Sequence, residues 1–175
     1  AEIKIEDEQL SATSILAEYT RLKQFADAKQ RIEPIPEPPF GIPYPTEDSG
    51  KLPQVEEILT ELGILGSDEE REGDEQVVIF SQFTKVVNMV ADWLEKKAIK
   101  VMKITGEVTA HQRTINTRQF QSKDEDRPKV AVINTKAGGV SITLDNASTV
   151  IFLDETWVPD DQEQAEDRVH RVSRI

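Results

Sequence analysis

Val77-Val78-Ile79-Phe80 is a run of four apolar residues with no polar alternation, entered from Gln76 and left through Ser81-Gln82-Phe83. A strand with one wet face alternates polar and apolar side chains; an uninterrupted run belongs to a strand covered on both faces. Residues 83–97 follow with Val86, Val87, Val90, Trp93 and Leu94 at helical spacing. The alternation then repeats. A second strand is expected over 100–105, a helix over 110–121, a charged turn over 123–128, a third strand over 129–134 and a fourth over 148–153. Pro159 fits the first turn of a final helix, where its missing N–H costs nothing. Strands alternating with helices predict an α/β fold with a central parallel sheet flanked by helices. In such folds chemistry gathers at the carboxyl ends of the strands.

Upstream of that run the texture differs. Residues 66–75 are an acidic loop carrying Asp68-Glu69-Glu70. A helix is expected over 51–62, closed by Gly63. The proline-dense stretch 32–45 reads as an extended linker. Leu16, Tyr19, Leu22 and Phe25 predict an amphipathic helix within 10–29. The expected organisation is therefore an N-terminal helix with a Pro-rich linker over 1–48, then one lobe over 49–175.

The 175 residues are 37% hydrophobic and 31% charged, a globular composition. The chain has no cysteine, which removes disulfide and thiolate-metal frameworks and fits an intracellular home. No apolar run is long enough to span a membrane, so no membrane partner is expected. The net charge of −12 argues against broad electrostatic wrapping of nucleic acid but leaves room for a local phosphate site. Residue 1 is Ala, and the chain stops soon after an arginine-bearing helix, so a piece of a longer protein is expected.

Three strand ends carry polar residues. Ser81 and Gln82 can contact a backbone phosphate, or Ser81 can simply cap the next helix. Asn134-Thr135-Lys136-Ala137-Gly138-Gly139 joins a hydroxyl, a cation and two glycines whose backbone can approach an anion; the plainer alternative is a strand-to-helix turn requiring a positive φ. Asp154-Glu155 ends the fourth strand in a way that resembles the magnesium-binding motif of P-loop ATPases, yet the chain has no Gly-Lys-Ser or Gly-Lys-Thr loop to hold phosphates. Asp154 is therefore read as structural. Neither His111 nor His170 has a partner at ligand spacing, and no metal site is assigned.

The last helix reads Gln164-Ala165-Glu166-Asp167-Arg168-Val169-His170-Arg171. Gln164, Arg168 and Arg171 share a face, so two guanidinium forks stand side by side, a geometry that suits a phosphate. The alternative is a solvated helix with an Asp167–Arg171 ion pair.

Taken in order from about Ser49 to Arg171, these segments resemble the C-terminal RecA-like ATPase lobe of helicase superfamily two, and within it the Swi/Snf-type double-stranded-DNA translocases. Ser49-Gly50-Lys51-Leu52 resembles the family's start of this lobe. Residues 77–83 resemble motif IV, and Thr135-Lys136-Ala137-Gly138-Gly139 resembles motif V. Residues 164–171 resemble motif VI, the most specific piece. Gly106, Arg113 and Phe120 fall where the family's Gly, Arg and Phe stand. Asp154, Trp157 and Pro159 match its Asp-x-x-Trp-Asn-Pro, and Leu22-Lys23-Gln24 resembles the segment joining the two lobes. Val158 departs from the usual Asn, Ser141 and Thr143 from a Gly and an Asn after motif V, and Ser173-Arg174 from Gly-Gln.

The resemblance implies a three-layer lobe that closes on ATP and Mg2+ held mainly by an N-terminal ATPase lobe of the same polypeptide. It implies Arg168 and Arg171 as arginine fingers. Gln164, Gly138 and Gly139 would serve the nucleotide side, and Ser81, Gln82, Thr135 and Lys136 the double-stranded DNA track. The fragment alone is expected to be inactive and to need no cofactor of its own. Translocation without strand separation is the implied activity, with unwinding or RNA work as the alternative within the class. From a different class, the same lobe could be a non-catalytic binding or regulatory module. Oligomeric state and the motor's biological task are not legible.

Overall fold

The computed structural model describes residues 2–5, 8–11, 20, 22–24, 26, 28–33, 42–66, 74–138 and 144–154. In chain order they form β1 (Glu2–Ile5), β2 (Glu8–Ser11), β3 (Gln30–Glu33), β4 (Ile42–Pro45), α1 (Leu52–Glu61), β5 (Val77–Ser81), α2 (Thr84–Lys96), β6 (Val101–Ile104), α3 (Ala110–Phe120), β7 (Val130–Asn134), α4 (Thr135–Gly138) and β8 (Thr149–Phe152). No helix among the described residues is long and apolar enough to cross a membrane.

Strands β5 to β8 make one parallel sheet in the order β6-β7-β5-β8. Every residue of β5 and β7, the two central strands, is buried. Side chains alternate between two cores, as strand geometry requires. Val77, Ile79, Val130 and Val132 turn toward α1 and α2, packing on Leu52, Val55, Leu59, Val87, Val90 and Leu94. Val78, Phe80, Ala131 and Ile133 turn the other way, onto Met102, Ile104, Phe120, Leu144 and Ala147. Phe80 also stacks on Phe152, ring centroids 5.3 Å apart. Each fully buried large side chain contributes about 1.5–3 kcal/mol, so the double-sided core holds the strand ends rigidly. The result is the expected three-layer RecA-like α/β lobe.

The layers differ in depth. Helix α2 buries Val86, Val87, Val90, Ala91, Trp93 and Leu94, a broad apolar face. Helix α3 buries only Phe120 and is otherwise a polar cover, capped by Thr109, whose side chain accepts from Gln112 N. Helices α1 and α2 end alike. Ile64 N donates to Leu59 O and Ile99 N to Leu94 O, with Gly63 (φ 66°) and Ala98 (φ 59°) in the left-handed position between. This is the Schellman closure, and Gly63 fills the place the sequence assigned it.

At the amino ends of the strands, Gln76 is 2% exposed and its side-chain amide donates to Phe120 O (2.6 Å) and Pro128 O (2.8 Å). Its own carbonyl accepts from Ser148 N at 3.0 Å. One residue, through its side chain and its backbone carbonyl, thus ties the ends of β5, α3, β7 and β8. Nearby, Lys129 and Arg127 flank the exposed Asp74 and hold its carboxyl below the ordinary carboxylate range.

Two expectations for the N-terminal part are corrected. The helix expected from residue 10 gives way to strand at Glu8–Ser11, paired antiparallel with Glu2–Ile5. Helical backbone is present at residues 20, 22–24 and 26, within the expected span. The Pro-rich 32–45 is not a bare linker, because its two ends belong to an antiparallel ribbon of Gln30–Glu33 with Ile42–Pro45. Thr46 N donates to Lys29 O at 2.7 Å, which makes that pair a hydrogen-bonded one. Counting back by twos, Pro45 and Pro43 both fall at non-hydrogen-bonded positions, where a missing N–H costs no ladder bond. The final helix lies outside the described residues.

Candidate functional site

The carboxyl ends of three neighbouring strands place their polar residues side by side, because the parallel register aligns Ser81 of β5 with Asn134 of β7 and runs β8 out at Asp154. Asp154 is buried. Its Oδ2 accepts from the Ser81 hydroxyl at 2.6 Å and its Oδ1 from Gln82 N at 3.0 Å. The Ser81 oxygen in turn accepts from Phe83 N at 3.1 Å, closing the turn that leads into α2. Both carboxylate oxygens therefore hold the β5–α2 turn in place. This supports the structural reading of Asp154 over a magnesium ligand, since both carboxylate oxygens already hold the turn and the sequence has no Gly-Lys-Ser or Gly-Lys-Thr loop to bring a metal-bound phosphate to them. Glu155 lies outside the described residues.

On the other side of Gln82 stands Asn134. Its Nδ2 donates to Gln82 O at 2.9 Å and to Thr84 Oγ1 at 3.4 Å. Its Oδ1 accepts from Lys136 N and Ala137 N, both at 3.2 Å. Arg113 reaches across from α3 to Ala137 O and Val108 O, each at 3.2 Å. Lys51, just before α1, donates from Nζ to Leu153 O. Asn134, Arg113 and Lys51 thus support the site in ways that composition and spacing did not show. Asn134 carried a signal of its own, as a polar residue ending an apolar strand, while Arg113 and Lys51 were marked only by the family resemblance.

The sequence-derived site residues fall as follows. Ser81 is fully buried, with its hydroxyl satisfied inside the protein. That hydroxyl faces no ligand directly in this arrangement. Gln82 is half-buried at the turn, Thr135 is buried at the start of α4, and Lys136 is exposed. Of the two readings of this stretch, a backbone approach to an anion or a strand-to-helix turn, the structure shows one turn of helix, Thr135–Gly138, directly after β7. Two of its amides are already taken by Asn134, so an anion cannot use them without displacing that side chain. Gly138 closes α4. Gly139, Gln164, Arg168, Arg171 and His170 lie outside the described residues. His111 is exposed on α3.

Four parallel strands with helices on both faces, and polar residues from adjacent strands joined at their carboxyl ends, define a RecA-like α/β lobe. The chain belongs to the helicase conserved C-terminal domain family, whose model matches residues 51–173. Among curated proteins it is 32% identical over 129 residues to the chromatin-remodeling ATPase INO80 of Sclerotinia sclerotiorum, covering 73% of this chain and 7% of that protein. It is 29% identical over 168 residues to the chromodomain-helicase-DNA-binding protein 1-like of Danio rerio (95% and 15%). It is 33% identical over 134 residues to the DNA repair protein RAD5 of Saccharomyces cerevisiae (74% and 11%). The crystal structure of the C-terminal part of the Fun30 ATPase domain superposes with a TM-score of 0.60 at 32% identity, over 73% of this chain and 38% of that one. These relatives place the lobe among the Swi/Snf-type members of superfamily two. The chain spans only 7–15% of the curated relatives named here.

Proposed function

We propose that this lobe is one half of an ATP-driven double-stranded-DNA translocase. The observation that carries the reading is the family match over 51–173, which takes in the clamped strand ends and the arginine segment together. In this reading an N-terminal ATPase lobe of the same polypeptide cradles ATP and Mg2+, since no phosphate-cradling Gly-Lys-Ser or Gly-Lys-Thr stands in this sequence. Arg168 and Arg171 reach the transferring phosphoryl group and neutralise charge that develops in the transition state. Gln164, Gly138 and Gly139 serve the nucleotide side of the cleft. Gln82, Thr135 and Lys136 contact the DNA backbone, and Ser81 acts one step back by fixing the turn that carries Gln82. Closure of the lobes on ATP and opening after hydrolysis step the protein along DNA, inside whichever cellular compartment holds that DNA.

A non-catalytic module of the same fold would keep the strand-end network but use the arginine segment for protein contacts; the −12 charge favours that reading. The two separate in an ATPase assay. This chain alone should hydrolyse no ATP with or without duplex DNA, and the full-length protein should show duplex-stimulated hydrolysis. Turnover by the isolated chain, or a full-length protein without any, counts against the motor.

A further inference from the structure

We propose that Asn134 is a positioning residue that locks the two DNA-facing turns, one after β5 and one after β7, into a single rigid unit. The inference rests on the reading that Gln82 and Lys136 face DNA. Asn134 is 5% exposed, and every hydrogen-bonding valence of its amide is used. One Nδ2 hydrogen goes to Gln82 O and the other toward Thr84 Oγ1, while Oδ1 takes Lys136 N and Ala137 N. Gln82 is held from both sides, its N–H by Asp154 and its carbonyl by Asn134. The backbone that presents Gln82 and the backbone that presents Lys136 therefore share one side chain.

No other residue type meets this demand. Asp would keep the two acceptor contacts but set an oxygen against the Gln82 carbonyl. Ser could cap α4 but is too short to reach across to β5. Ala would lose both. A phosphate spanning the two turns needs them at fixed separation, and binding to a preorganised pair avoids the cost of ordering it. The inference therefore concerns the joint between the turns, over and above the cap on α4.

The test uses the full-length protein and an unmodified DNA duplex. Half-saturating DNA for ATPase stimulation is measured for Asn134→Ser, Asn134→Ala and Lys136→Ala, alongside turnover at saturating DNA and DNA-free hydrolysis. Both Asn134 variants should raise half-saturating DNA roughly two- to tenfold, the scale of one lost net hydrogen bond. Turnover at saturation and DNA-free hydrolysis should stay near wild type, which general loss of folding would not allow. If Asn134→Ser matches wild type while Asn134→Ala is impaired, the α4 cap alone matters and the proposal is overturned. If Lys136→Ala weakens DNA and neither Asn134 variant does, the joint is refuted while the DNA track stands. If Lys136→Ala has no effect either, the track reading fails and takes the proposal with it.

Discussion

Asp154→Ala removes the carboxylate that accepts from both the Ser81 hydroxyl and the Gln82 backbone N–H. The Ser81 hydroxyl sits where water has little access, since Ser81 is fully buried and Asp154 nearly so, whereas the Gln82 N–H is half-buried. A buried donor left without its partner costs about 1–3 kcal/mol, so two cost about 2–6 kcal/mol at full burial, and the half-buried Gln82 N–H places the total in the lower part of that range. Asp154→Asn keeps an oxygen for Gln82 N and exchanges the other for an amide N–H, which the Ser81 oxygen can accept while losing a place for its own hydrogen. That variant should cost only about 1–2 kcal/mol. Urea denaturation of the chain followed by circular dichroism reads both, with Asn falling between wild type and Ala. In the full-length protein the Asn variant should retain most of its ATPase, because this carboxylate holds a turn and no metal. A magnesium ligand behaves in the opposite way: Asn would leave stability unchanged or improved and abolish turnover. That pattern would refute the structural role.

Ala98 and Gly63 occupy the same place in two matched helix ends, and only one has the residue suited to it. Ala98→Gly should therefore stabilise the lobe by about 0.5–1 kcal/mol, the strain relieved less the extra freedom of glycine when unfolded; a destabilised variant in thermal melts would contradict the closure described. Gln76→Leu strips the carbonyls of Phe120 and Pro128 of their donor and should cost about 2–4 kcal/mol in the same urea assay, with duplex-stimulated turnover unaffected under conditions where the variant is folded.

The lobe was legible where burial writes itself into the sequence. The apolar run Val77–Phe80 predicts a strand covered on both faces, and a third strand is expected over 129–134; β5 and β7 stand there, every residue buried. Helices α1, α2 and α3 start and stop within a residue or two of expectation; Gly63 closes the first, and the spacing of Val86, Val87, Val90, Trp93 and Leu94 marks the second. The ribbon before the lobe was not legible, since proline density argues against strand unless the parity of Pro43 and Pro45 relative to a partner is known. That partner, Gln30–Glu33, is a separate stretch of the chain. The strand-end network was invisible for a similar reason. Ser81 and Asp154 are 73 positions apart, and nothing local announces their bond. At Thr135–Gly138 the sequence left a glycine-rich anion approach and a strand-to-helix turn both open, because Gly138-Gly139 signals backbone freedom; Asn134 supplies the cap that favours helix. Absence of a phosphate loop did lead correctly to a structural Asp154, an argument from chemistry that needed no contact map.

The most direct test of the motor account is Arg171→Ala in the full-length protein. The variant should still bind ATP and duplex DNA near wild-type affinity, while duplex-stimulated hydrolysis falls by about a thousandfold or more. Hydrolysis at the wild-type rate would show that this arginine stays away from the reacting phosphate and that the lobe does something else.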